Sequence, residues 1–203
     1  TIASQFVTPE AIREMRKNAG GLICTTVHND IKESLDLPFL AELFGCSSKE
    51  HPVMNHLSPN DIPYDTKSAF SITINHRKTF TGITDRDRAM TVSEFAKLAA
   101  RANSLGKREM REEFGRNFRA PGHIHLLNAT PNLLSTRFGH TELSTALMVM
   151  AGVTPSATIC EMMGDDGLAL SKTEATRYAQ ERGICFLEGK EIIEAWNNGG
   201  RPR

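Results

Sequence analysis

Apolar positions along the chain fall into short runs and helical stripes with clear punctuation between them. Thr8-Pro9-Glu10 supplies an N-cap, a proline at the first helical position and an early acid, and Gly20-Gly21 stops the helix that they open. Leu22 to Val27 then predicts a buried strand. The apolar opening, Thr1 to Phe6, resembles the end of a strand more than a native terminus, so a preceding segment is expected. Asp30 to Leu43 is weakly helical with Pro38 interrupting it, and Gly45 to Asp65, carrying Pro52, Pro59 and Pro63, predicts a long ordered loop or lid. Ala69 to Ile74 alternates like a half-buried strand, Asn75 to Lys78 is a turn, and Thr79 to Thr81 continues extended. Thr91-Val92-Ser93-Glu94 predicts a capping box opening a helix through about Asn103, and a charged helix follows over Lys107 to Phe118. Pro121-Gly122 breaks it before a strand over His123 to Leu127. A helix from Thr141 to Met150, a strand around Thr158 to Cys160 and a turn at Asp165-Asp166-Gly167 come next. Ser171 to Glu174 caps a helix ended by Gly183, Ile184 to Leu187 predicts a strand, and Lys190 to Trp196 a last short helix. Helices and strands mix without strict alternation, repeat or internal boundary. The expectation is one α/β-type domain of α+β topology over residues 1–196, a mixed sheet packed with helices, and a disordered tail over 197–203.

Composition changes this picture mainly by exclusion. Among 203 residues, 24 basic side chains balance 24 acidic ones, so the overall field gives no case for nucleic acid or an anionic membrane, and any anion must be held locally. No apolar run approaches the ~20 residues of a membrane-spanning helix and no signal-peptide pattern opens the chain, so a soluble cytoplasmic protein is expected. Cys24, Cys46, Cys160 and Cys185 are far apart and unpaired by any C-x-x-C spacing, which favours buried reduced thiols over disulfides or a zinc site.

The densest chemistry lies in Arg137-Phe138-Gly139-His140-Thr141-Glu142 and, further on, Cys160-Glu161-Met162-Met163-Gly164-Asp165-Asp166-Gly167. Arg137 offers a forked cationic donor, Thr141 a hydroxyl, and Gly139 a place where backbone can approach a ligand. The run opens a helix, whose free N–H groups and dipole favour anions. Together these point to a site for a phosphorylated sugar. His140 can ligate a metal or move a proton, and Glu161, at the end of an apolar strand where desolvation is costly, suits acid or base work. A helix-capping glutamate and a structural histidine are the plainer alternatives. His123 and His125 share one face of a strand, compatible with metal ligation or with simple exposure. Thr81 to Arg88, with Thr81 and Thr84, suits phosphate or subunit contacts, or is a solvated charged turn. Asp165-Asp166-Gly167 is first a turn signal. No P-loop, dinucleotide fingerprint or nucleophile elbow is present.

These residues resemble the 3,4-dihydroxy-2-butanone 4-phosphate (DHBP) synthases of riboflavin biosynthesis, most of all their archaeal form. The resemblance is carried by Gly20 to Cys24, Phe70 to Arg88 with its Thr-Gly-Ile-Thr-x-x-Asp-Arg core, Arg119-x-Pro-Gly-His123, Arg137 to Glu142 and Ile159 to Gly167, with divergence at 45–60 and 103–114. It implies a homodimeric α/β fold with active sites at the interface. The implied enzyme is a lyase converting D-ribulose 5-phosphate into L-3,4-dihydroxy-2-butanone 4-phosphate and formate with Mg²⁺ or Mn²⁺. It implies His140 as metal ligand, Arg137 through Thr141 as the substrate and phosphate cradle, Glu161 as essential for catalysis, and His123 as a catalytic histidine that some archaeal relatives replace by serine. Cys24 matches a cysteine near the site. Nothing here matches the family's acidic N-terminal loop, so an N-terminal strand and that loop are expected to be missing from the chain as given. The competing classes are another divalent-metal-dependent sugar-phosphate lyase or isomerase, and a sugar-phosphate-binding subunit without catalysis.

Overall fold

The computed structural model describes residues 1–57 and 68–200. Thr8 opens α1 (Pro9–Glu14) as the sequence predicts: its hydroxyl accepts the Ala11 amide at 3.2 Å, and Pro9 occupies the first turn, where no intrahelical N–H is needed. Helical turns continue over Met15–Ala19 until Gly20 adopts φ 83°, a left-handed conformation that ends them.

Five strands among the described residues form one mixed sheet: β1 (Ile2–Ala3), β2 (Cys24–Val27), β3 (Phe70–His76), β4 (Phe118–Asn128) and β5 (Ala157–Ile159), in the order β1-β5-β2-β4-β3. β2 is paired on both edges, parallel to β4 and antiparallel to β5, and all four of its residues are buried. The registers align Thr25 with Leu126, which puts Ile23, Val27, Ile124 and Leu126 on one face by the two-residue alternation of strands. That face carries the main core. Ile12 of α1, Ile31 of α2 (Asn29–Leu35), Val92 and Phe95 of α5 (Asp85–Ala99) and Met110 of α6 (Lys107–Asn117) pack there, each nearly or wholly excluded from water. Side chains of this size contribute roughly 1.5–3 kcal/mol each when buried.

The opposite face carries Cys24 and Thr26 and is covered by α7 (His140–Met150). There the Thr145 and Thr26 hydroxyls lie 3.0 Å apart, and the Ala157 amide donates to Thr26 at 2.9 Å. A smaller core joins Ala146 of α7 to Leu133, Leu134, Ile192 of α9 (Gly189–Ala195) and Trp196. α8 (Lys172–Arg182) is tied to α1 through Tyr178 and Arg182, which both donate to Glu14.

The structure departs from the sequence expectations at several places, among them β3, which runs on through Asn75 and His76 where a turn is expected. α5 begins at Asp85, because Thr84 is the N-cap and accepts the Asp87 amide at 3.1 Å; Thr91, expected to start a helix, is internal and instead accepts the His76 amide at 3.0 Å. Pro121-Gly122 bulges out of β4 without ending it. Thr79 closes a turn onto the His76 carbonyl instead of continuing the strand. Ile184 to Leu187 forms no strand; Ile184, Cys185 and Leu187 are exposed and Phe186 is half-buried. Lastly, the proline-rich stretch contains the end of α3 (Leu40–Ser47) and a short α4 (Val53–His56); residues 58–67, with Pro59 and Pro63, lie outside the described residues. At the C-terminus helical turns run on through Trp196, Asn198 and Gly199 leave helical geometry, and 201–203 lie outside the described residues.

Arg16 donates to both oxygens of Asp85 at 3.0 and 2.8 Å, and Arg88 adds a bond at 3.1 Å, fastening the turn after α1 to the start of α5. The Arg16 hydrogen bonds foremost, and those of Arg88 next, hold the Asp85 carboxyl down to about 2 from an ordinary value of 3.8. A folded-state pKa below the unfolded one stabilises the fold above about pH 4 and stops doing so as pH falls through about 2. Asp85→Asn should therefore lower stability near neutral pH and flatten its decline across that window. Chemical denaturation at stepped pH is the check; a variant that tracks the wild type across it contradicts the pairing.

Candidate active site

The sheet brings Glu161 and His123 to one end. Registers align Ile159, Cys24 and His125 across β5, β2 and β4, and Glu161, Leu22 and His123 lie just past these pairs, where β5 finishes and β2 begins. The Leu22 amide donates to Glu161 Oε2 at 2.9 Å and the Gly21 amide to its carbonyl at 3.1 Å. Gly21 is needed there, since a Cβ would stand 2.6 Å from that carbonyl oxygen. Contrary to the sequence expectation, Glu161 is exposed: β5 ends at Ile159, so the carboxylate has left the apolar part of the strand. Burial, reinforced by the negative charges of Glu161 and Cys160, pushes the Cys24 thiol up to about 12. Cys24 is therefore no nucleophile at neutral pH. Cys24 fits the expectation of buried thiols, while Cys46 and Cys185 are exposed.

His123 is set by a bulge. β4 pairs Ile124 with Ile74 and then Arg119 with Asn75, so residues 120–123 loop out of the ladder. Gly122 lies against the backbone of Ile74 so tightly that a Cβ would overlap it, and its amide donates to Thr73 Oγ1 at 3.0 Å. Asn75, almost wholly buried, accepts the His123 amide at 2.8 Å through Oδ1 and places Nδ2 3.2 Å from the ring Nδ1. Sequence reasoning saw Asn75 only as the first residue of a turn. Its signal was indirect: Gly82 and Gly122 are the small residues that let it sit there, since a Cβ on Gly82 would overlap the Asn75 amide. His125 shares the face of His123. Its Nδ1 is buried with no hydrogen-bond partner among the described residues, and burial, then the neighbouring His123, lowers its pKa.

Thr81 and Thr84 border this group with their hydroxyls engaged. Thr81 Oγ1 donates to Asp87 Oδ2 at 3.4 Å, the Gly82 amide joins the same oxygen at 2.9 Å, and Thr84 caps α5. Arg119 closes the far side of the turn on the carbonyls of Thr79 and Phe80, at 3.2 and 3.3 Å.

Arg137 to Thr141 enters from the other connection. Gly139 is the N-cap residue of α7, His140 is exposed at its first position and Thr141 is buried at its second. Arg137 folds back across Gly139 to donate to Glu142, and a Cβ on Gly139 would overlap both the guanidinium and the Glu142 carboxylate. The glycine thus admits side chains as well as backbone. Phe138 projects outward, 62 % exposed. Chemically, the turn offers a cationic fork beside the free amides of a helix start, an arrangement suited to an oxyanion. Among the described residues no three His, Cys, Asp or Glu side chains gather to hold a metal, and no helix is long and apolar enough to cross a membrane.

Comparison with known proteins covers the chain almost end to end. The family model for 3,4-dihydroxy-2-butanone 4-phosphate synthase matches residues 1–195. A protein of that name from Methanothermobacter thermautotrophicus is 48% identical over 196 residues, covering 96% of this chain and 82% of its own length. One from Archaeoglobus fulgidus is 43% identical over 95% of this chain and 80% of its own. The solved structure of the Candida albicans synthase superposes with a TM-score of 0.70 at 26% identity, covering 95% of this chain and 80% of that one. A cation-free synthase structure gives 0.73 at 23% identity over 98% of this chain and 84% of that one, a likeness of fold.

The bulge makes a direct packing prediction. Gly122→Ala should cost roughly 1–3 kcal/mol, the range for overpacking, because backbone has to move. Gly115→Ala, in open space within α6, should stabilise by about 0.5–1 kcal/mol. Denaturation midpoints that move alike for the two variants contradict the bulge.

Proposed function

The chain belongs to the 3,4-dihydroxy-2-butanone 4-phosphate synthase family, and from that membership we propose how its residues carry the chemistry. The enzyme is a lyase of riboflavin biosynthesis that converts D-ribulose 5-phosphate into L-3,4-dihydroxy-2-butanone 4-phosphate and formate. The observation that carries this conclusion is the match across residues 1–195, with relatives above 40% identity over nearly the whole chain.

Arg137, with Phe138, Gly139, His140 and Thr141 around it, holds the phosphate at the start of α7, and Thr81 and Thr84 frame the opposite side. A fixed phosphate keeps the reacting carbons in register through several steps. Glu161 transfers protons. Its exposure leaves the carboxylate reachable, and the Leu22 amide fixes one oxygen, which orients the other. His123 is a second proton carrier. Asn75 orients the ring, with its Nδ2 and Oδ1 at 3.2 and 3.3 Å from the ring Nδ1, and leaves Nε2 to meet substrate.

A synthase of the same fold has been crystallised with two magnesium ions. For this enzyme we propose a divalent cation, Mg²⁺ or Mn²⁺, with His140 as a ligand. It would supply polarisation of the ketose oxygens. The described residues alone do not fit a hard cation: His140 is a single imidazole at the positive end of a helix, and such ions prefer several oxygen donors. The roles of Arg137, Glu161 and His123 stand without it. We further propose a cytoplasmic homodimer with its sites at the subunit interface. Phe80, 94 % exposed beside Thr81, and Phe138 beside Arg137 support that arrangement as apolar surface bordering both halves of the site.

Formate release from ribulose 5-phosphate tests the function. The active protein should lose it on rigorous chelation and regain it with Mg²⁺; undiminished turnover after chelation contradicts the cation requirement. Glu161→Gln keeps size and much of the hydrogen bonding, so binding should persist while turnover falls on the order of 10²–10⁴-fold, the usual contribution of a general acid or base. Turnover near the wild-type rate would leave Glu161 with only its hydrogen bond to Leu22.

A further inference from the structure

Glu142 is the one wholly buried carboxylate among the described residues, with no part of its side chain open to water. A carboxylate in that position is tolerated only when donors meet it. Its Oε1 accepts the Thr130 amide at 3.1 Å and its Oε2 accepts Arg137 Nη1. Thr130 follows the end of β4 and Arg137 precedes α7, so one carboxylate closes the connection between these elements. Gly139 provides the space in which guanidinium and carboxylate meet. The loop between the two donors is held besides by the Thr130 and Thr136 hydroxyls, 2.9 Å apart, and by Leu133 and Leu134 in the smaller core.

We propose that Glu142 is the positioning residue of the phosphate site: it sets where the Arg137 guanidinium stands over the first turn of α7, and so acts on substrate affinity through Arg137. This rests on the assignment of Arg137 as phosphate anchor. Glu142 itself is shielded from substrate. Its carboxylate suits the task because it accepts from both donors at once. In Glu142→Gln one of the two oxygens becomes an NH₂ group, which faces either Arg137 or the Thr130 amide donor to donor, so the arm is released while side-chain volume is kept.

The test is steady-state kinetics on ribulose 5-phosphate, with inorganic phosphate as competing anion. Glu142→Gln should raise KM on the order of ten-fold and weaken phosphate inhibition in parallel, with kcat changed far less, the pattern of lost uniform binding. Arg137→Ala should raise KM at least as much, and the double variant should be no worse than Arg137→Ala alone. A merely structural role for Glu142 would give an additive double variant, and that result overturns the inference. If Arg137→Ala leaves KM unchanged, the anchor assignment fails. If Arg137→Ala raises KM and Glu142→Gln does not, the anchor stands and the positioning role falls. Should Glu142→Gln not fold, Glu142→Asp, which keeps the charge but draws it back by one methylene, carries the same test: a raised KM supports the role and an unchanged one overturns it.

Discussion

A carboxylate out of reach of water has to be surrounded by donors before the chain around it can settle, and at Glu142 the donors come from both ends of one connection. The Thr130 amide and the Arg137 guanidinium converge on it, and Gly139 leaves the room they need. Breaking such a pair by removing one partner generally costs several kcal/mol, because the other charge is stranded. The pair therefore fixes the entry angle of α7. With α7 fixed, the Thr145 hydroxyl meets that of Thr26 on the sheet.

The sheet supplies the other half of the arrangement. β2 pairs with β5 and β4 at once, so its register leaves little freedom for either neighbour, and a one-residue slip of β4 would turn Ile124 and Leu126 away from the main core. Past the paired residues the control becomes local: Leu22 grips Glu161 by an amide, and Asn75 grips His123 by an amide and a ring nitrogen. Both proton-transfer candidates are thus oriented by hydrogen bonds to residues of low chemical reactivity, which engage Glu161 Oε2 and His123 Nδ1.

Much of this was legible in the sequence where one residue type has one physical use. Thr8-Pro9 and Gly20 bounded the first helix, and the glycine before an apolar stripe in the Arg137-to-Glu142 run marked a helix start, which Gly139 caps. What could not be read depended on partners distant in sequence. Thr91 looked like a helix start because its hydroxyl suits a cap, yet it serves the His76 amide, while Thr84 does the capping. Glu161 looked desolvated because its strand was expected to run further. Asn75 gave no direct signal, since its function comes from a four-residue bulge in β4. Glu142 belongs to the motif, but Thr130, whose amide meets its Oε1, does not.

The central claim is that the start of α7 recognises phosphate through Arg137. Calorimetric titration of ribulose 5-phosphate and of unphosphorylated ribulose, each into the wild type and into Arg137→Ala, tests it most directly. The account predicts that the variant binds the phosphorylated sugar on the order of ten-fold more weakly or worse, as expected for loss of a charge-assisted hydrogen bond, and that the affinity for ribulose falls far less. Equal affinities for ribulose 5-phosphate in the two proteins would contradict it.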